Sequence, residues 1–111
     1  MKTYMKPLLL CTIFLGFAAC MDTRPTAYSD SYSTISNNPI KMYVLDNDYG
    51  YDLAISVSTP PTYGTLVVDD ADNSITYYPA LDFVGVDEFT YVAVDRYGRM
   101  DYAPVYIDID F

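Results

Sequence analysis

Between Gly64 and Arg99 three short β-type runs alternate with turn residues, and the third opens with Gly85-x-Asp87-x-Phe89-x-Tyr91. An acid, a phenyl ring and a phenol at every second place share one face of a strand. At the start of a strand this spacing is the sequence form of a tyrosine corner, a device that locks a crossing between strands of a β-sandwich. It predicts that the Asp87 carboxylate accepts N–H groups from a turn and that the Tyr91 hydroxyl bonds back to the chain. Both are therefore read as structural residues and not as surface ligands.

The rest of the chain after residue 38 has the same grain. Ile40 to Leu45 reads as a first strand, stopped by the turn Asp46-Asn47-Asp48-Tyr49-Gly50. Leu53, Ile55 and Val57 recur at every second position, as in a half-buried strand. Thr65 to Asp69 and Ser74 to Tyr78 flank the turn Asp70–Asn73, and Pro79 ends the second of them because proline cannot donate to a ladder. Ala80 to Val86 is the long crossing before the strand Glu88 to Asp95. Arg96-Tyr97-Gly98-Arg99 forms a hairpin into a last strand, Tyr102 to Phe111, where Pro104 predicts an edge position or a bulge. No apolar repeat at helical spacing and no internal repeat follows residue 38. The fold class is all-β.

In order along the chain stand Asp46-Asn47-Asp48-x-Gly50, Tyr63-Gly64-Thr65-Leu66, Ile75-Thr76-Tyr77-Tyr78-Pro79, Phe83-x-Gly85-x-Asp87-x-Phe89-x-Tyr91 and Asp95-x-x-Gly98. The ordered set resembles the bacterial Ig-like, cadherin-like repeat domains of large secreted and surface proteins, over about Pro39 to Phe111. The resemblance implies an Ig-like antiparallel β-sandwich of about seven strands with Greek-key connections, used as a spacer or adhesive module and not as an enzyme. Such domains usually come in arrays, whereas here one copy is present. Two residues after Tyr91, where antibody domains carry a disulfide cysteine, stands Ala93.

The first residues belong to a different grammar. Lys2 and Lys6 precede an apolar run, Leu8 to Phe17, and Ala18-Ala19 lead into Cys20. This is the pattern of a secretory signal over residues 1–19. As a helix, Leu8 to Ala19 would cover only about 18 Å of a hydrocarbon core of about 30 Å, too little to span it. Phe17-Ala18-Ala19-Cys20 resembles the bacterial lipobox, which implies acyl chains on Cys20 and a membrane held through them. Cys11 is excluded because Leu10 before it is too large for a cleavage site. Met21 follows the cysteine in place of aspartate, which by resemblance to Gram-negative lipoproteins implies the outer membrane. Residues 20–38, rich in Ser, Thr, Asp and Asn, are read as a flexible tether, with the folded domain over residues 39–111.

Composition narrows function further. Loss of Lys2 and Lys6 with the signal takes the formal charge from −9 to −11, which argues against nucleic acid as a partner. The chain has no histidine, and a mature domain starting at an acylated Cys20 has no free thiol, so triads and His-type zinc sites are excluded. No cofactor is expected. Calcium is the one weak alternative, through Asp46, Asn47 and Asp48 or Asp70 and Asp72, but neither cluster matches an EF-hand loop and such residues also cap turns. Strand alternation sends Val67, Tyr78, Val92, Val94 and Tyr106 outward, a candidate contact face for a protein partner in the envelope. A carbohydrate-binding module using exposed tyrosines is the alternative; it lacks the tryptophan such platforms often use.

Overall fold

In the computed structural model, which describes residues 24–111, the period-two runs become seven strands. They are β1 (Asp30–Ile35), β2 (Ile40–Met42), β3 (Ala54–Thr59), β4 (Gly64–Asp69), β5 (Ser74–Pro79), β6 (Gly85–Val94) and β7 (Met100–Asp110). The signal segment and Cys20 lie outside the described residues. Four strands form one sheet in the order β1-β7-β6-β3 and three form the other in the order β2-β5-β4. The chain changes sheet from β1 to β2, from β2 to β3, from β3 to β4 and from β5 to β6, and the result is an Ig-like sandwich.

Alternation explains the core. Phe89, Tyr91 and Ala93 of β6 and Ala103, Val105, Ile107 and Ile109 of β7 turn inward, against Met42, Ile75 and Tyr77 of the other sheet and Val44 just after β2. Gly64 permits one close approach, since a Cβ there would stand 2.5 Å from the Tyr77 ring.

Three sequence expectations change. The tether is overturned for its described part: Thr26 bridges Tyr49, Pro25 is buried, and β1 runs parallel to β7 from Asp30 opposite Val105 to Ile35 opposite Asp110. Ser31, Ser33 and Ile35 face solvent, so only Tyr32 and Ala27 pack on the core and the segment has no hydrophobic stripe to announce it. The β7 ladder supplies the order that composition withholds. The first core strand is also shorter than Ile40 to Leu45, because Val44–Asn47 winds into a 3-10 helix. Finally, Pro104 sits in the middle of its sheet, paired with Thr90 without a bulge. It is tolerated because β1 reaches only to Val105, so beside Pro104 the strand is locally an edge.

Candidate functional site

The buried polar side chains are the places where chemistry could be concentrated, and they fall at the two ends of the sandwich. At the end holding the β3–β4 and β5–β6 connections, Asp87 is almost fully buried. Its Oδ1 accepts the N–H of Thr62 at 3.0 Å and of Glu88 at 2.9 Å. Its Oδ2 accepts the N–H of Tyr63 at 2.9 Å and the Tyr77 hydroxyl at 2.7 Å. Tyr63 in turn stacks on Phe83, ring centres 4.4 Å apart. Burial, and then the Asp87 carboxylate, push the Tyr77 phenol well above its ordinary range.

At the opposite end, the 43–53 loop, the β4–β5 turn and the β6–β7 hairpin lie together. Asp48 is fully buried and accepts the Tyr91 hydroxyl at 2.5 Å and the Tyr28 N–H at 3.0 Å. The Tyr91 oxygen also lies 3.2 Å from the carbonyls of Tyr28 and Val44. One hydroxyl carries one proton, and the short contact to the charged acceptor takes it. Burial, and then the bond to Asp48, drive the Tyr91 phenol far above its usual range. Burial, with Asp30, Asp46 and Asp48 nearby, pushes Tyr32 up to about 12.

The sequence motif therefore resolves into two anchors and not one corner. Asp87 and Tyr91 are four residues apart on β6, roughly 13 Å along the strand. Asp87 holds the 62–63 turn, while Tyr91 holds the N-terminal segment and the 43–53 loop. Asp48 is the partner that spacing did not reveal; its only sequence signal was membership in an acidic turn.

The β6–β7 hairpin has its own acid. Asp95 Oδ1 accepts the N–H groups of Tyr97 and Arg99, and its Oδ2 accepts Nε of Arg99, all at 2.9 Å. Burial would raise this carboxyl, but those N–H groups and the guanidinium hold it below the usual carboxylate range. Gly98, at φ +84°, supplies the left-handed turn. Loop ties complete this end: Arg96 N–H to the Tyr51 carbonyl at 3.1 Å, and Asn73 Nδ2 to the Leu53 carbonyl at 3.3 Å.

The calcium candidates do not converge. Asp48 is committed to Tyr28 and Tyr91, Asp46 and Asn47 are exposed, and Asp72 pairs with Lys41 at 2.8 Å and accepts the Ser74 hydroxyl at 2.6 Å. That Lys41 contact, then the Ser74 hydroxyl, lowers the Asp72 carboxyl. Asp70 lies exposed in the β4–β5 turn. Among the described residues no group of three or more His, Cys, Asp or Glu side chains is arranged to hold a metal.

The predicted contact face is corrected. Val67 and Tyr78 stand exposed on the outside of the three-stranded sheet, while Val92, Val94 and Tyr106 belong to the four-stranded one, so the five share no surface. Val92 is only 6% exposed, flanked across the strands by Ser56 and Tyr102, and Val94 is half-buried. Alternation assigns a side of the sheet but not a depth, and β6 is central. Among the described residues the depressions open widely to solvent. One of about 400 Å³ is lined by Asp87 and Glu88 among others, but these adjacent acids point to opposite sides, and Asp87 is already saturated with donors.

A family model described as a bacterial Ig domain matches residues 22–108. The chain belongs to the bacterial Ig domain family. The match starts before β1, in agreement with the folded N-terminal segment. Domains of this family are generally non-catalytic, and membership points to an extracellular or cell-surface protein. Among the described residues no helix is long and apolar enough to cross a membrane. A comparison with curated proteins finds no match. Among solved structures, the chain is similar to part of an endo-fucoidan hydrolase of glycoside hydrolase family 107, at 16% identity and a TM-score of 0.56. That match covers 78% of this chain and 13% of the hydrolase. A variant of the same hydrolase gives 18% identity and a TM-score of 0.53 over the same shares. A Photobacterium 2,6-sialyltransferase gives 13% identity and a TM-score of 0.49, over 77% of this chain and 18% of that one. At these identities the likeness concerns the fold, and this chain spans only a small part of either enzyme.

Proposed function

We propose that this bacterial Ig domain is a non-catalytic structural and contact module of the cell envelope, anchored in the outer membrane by acyl chains on Cys20. The observation that carries the reading is where the buried acids are spent. Asp48, Asp87 and Asp95 each hold loop N–H groups, and Asp48 and Asp87 also accept a hydrogen bond from a tyrosine hydroxyl. Groups so engaged make a stiff block and leave no acid–base pair poised over a cavity. Contact with an envelope protein then uses surfaces other than the five-residue face. The carbohydrate reading is weakened because cations already lie over exposed rings. Lys41 Nζ stands 5.6 Å from the Tyr43 ring centre, and the Arg96 guanidinium 5.3 Å from both Tyr51 and Tyr97.

The test is fractionation of cells labelled with a fatty acid, comparing the parent with Cys20→Ser, followed by crosslinking in intact envelopes. Label and outer-membrane recovery that vanish in Cys20→Ser, with a crosslinked protein partner, are the expected result. Labelling of both forms would refute the anchor, and hydrolytic or transferase activity of the purified domain would refute the non-catalytic role.

A further inference from the structure

The overturned tether changes where the domain can sit. Pro25 is already buried in the fold, and Thr26 is bonded to Tyr49 in the 43–53 loop at 3.0 Å in both directions. Pro25 is five chain steps after Cys20, so covalent geometry keeps them within about 18 Å of each other. A headgroup layer is itself about 6 Å deep on each side of a bilayer. Any lipid chains on Cys20 would therefore hold the end of the sandwich where the chain enters within reach of the headgroups. Eighteen free residues would have allowed any orientation.

That end differs from the other in chemistry. Its loops expose Tyr43, Tyr49, Tyr51 and Tyr97, the last 63% exposed, with the Arg96 and Arg99 guanidiniums 5.3 and 5.1 Å from the Tyr97 ring centre. Tyrosine is enriched at membrane–water interfaces, where its ring meets the acyl boundary and its hydroxyl stays hydrated. All four cations after Cys20 also gather here. Lys41 reaches Asp72 in the β4–β5 turn, Arg96 and Arg99 are in the hairpin, and Arg24 precedes the Thr26 bridge. The opposite end carries Asp82, Asp87, Glu88, Asp108 and Asp110, with no lysine or arginine among its described residues. The same end also carries acids, Asp46, Asp52, Asp70, Asp72 and Asp95 among them, so both ends are acidic and the contact rests on the tyrosine rings and the short link to the lipid, not on charge.

We propose that the domain stands end-on, with its 43–53 loop and β6–β7 hairpin resting on the lipid headgroup layer through Tyr43, Tyr49, Tyr51 and Tyr97. The proposal rests on the acylated Cys20 of the reading above. It leaves the Asp82-bearing end facing away from the bilayer.

The chain contains no tryptophan, so an introduced indole reports its own surroundings. Acylated full-length Tyr97→Trp and Leu81→Trp proteins would be reconstituted in phosphatidylcholine vesicles whose acyl chains carry bromine near the headgroup. Leu81 is 83% exposed at the far end, so its replacement leaves packing intact. The expected result is a blue shift and bromine quenching of the indole in Tyr97→Trp, with neither in Leu81→Trp. Vesicle-bound protein in which neither indole is quenched, or both are quenched alike, overturns the end-on arrangement while leaving the anchor standing. Flotation of Cys20→Ser with the vesicles as efficiently as the parent overturns the anchor, and the orientation with it.

Discussion

Tyr91→Phe removes one oxygen and preserves the ring, so its effect measures the Asp48 anchor almost alone. The lost bond is 2.5 Å long, and its acceptor is the fully buried Asp48 carboxylate, which also takes the Tyr28 N–H at 3.0 Å. A hydrogen bond to a charged group contributes about 1.5–3 kcal/mol, and full burial of the acceptor puts the cost at the upper end. We expect about 3 kcal/mol. With an unfolding entropy of about 2 cal/mol/K per residue over the 88 described residues, that lowers Tm by about 15 °C. The assay is thermal unfolding of soluble residues 22–111 followed by circular dichroism, in a cycle with Asp48→Asn. In the Asp48→Asn background no charge is left behind, and the same Tyr91→Phe change should cost only about 1 kcal/mol. A variant that melts within about 3 °C of the parent, or equal costs in both backgrounds, would refute the assignment of the proton to Asp48.

Asp87→Ala frees four donors at the other end and is expected to cost about 3 kcal/mol, with faster amide exchange at Thr62 and Tyr63 as the local signature. Alkaline unfolding should follow from Tyr77, Tyr91 and Tyr32, whose phenols are raised in the folded protein. Their stabilisation is whole below the unfolded value of about 10 and falls above it, by about 1.4 kcal/mol per pH unit for each phenol that ionises only on unfolding. A flat melting curve from pH 9 to 11.5 would contradict this. Deleting residues 22–35 is expected to expose the β7 edge and cause loss of the cooperative transition or aggregation, whereas a mere tether could be removed at no cost. Replacing a chelator with millimolar calcium is expected to leave Tm unchanged, and a rise of many degrees would show a site that Asp48 and Asp72 do not suggest.

The amino-acid sequence alone carried the all-β class, most strand positions and the inward set on β6, because side-chain period two is a local property of a strand. It also carried Asp87, whose spacing to Phe89 and Tyr91 is local as well. Three things depended on neighbours far along the chain. β1 is a strand because β7 offers it a ladder, and Asp30 and Thr34 flanking Tyr32 on its inner face hide that from any hydrophobic pattern. Val92 is buried because β6 has a strand on each side, although alternation turns it away from the core. Asp48 is an anchor because the sandwich brings it to Tyr91, 43 residues later, where a buried carboxylate and a buried phenol meet at 2.5 Å and each needs a polar partner.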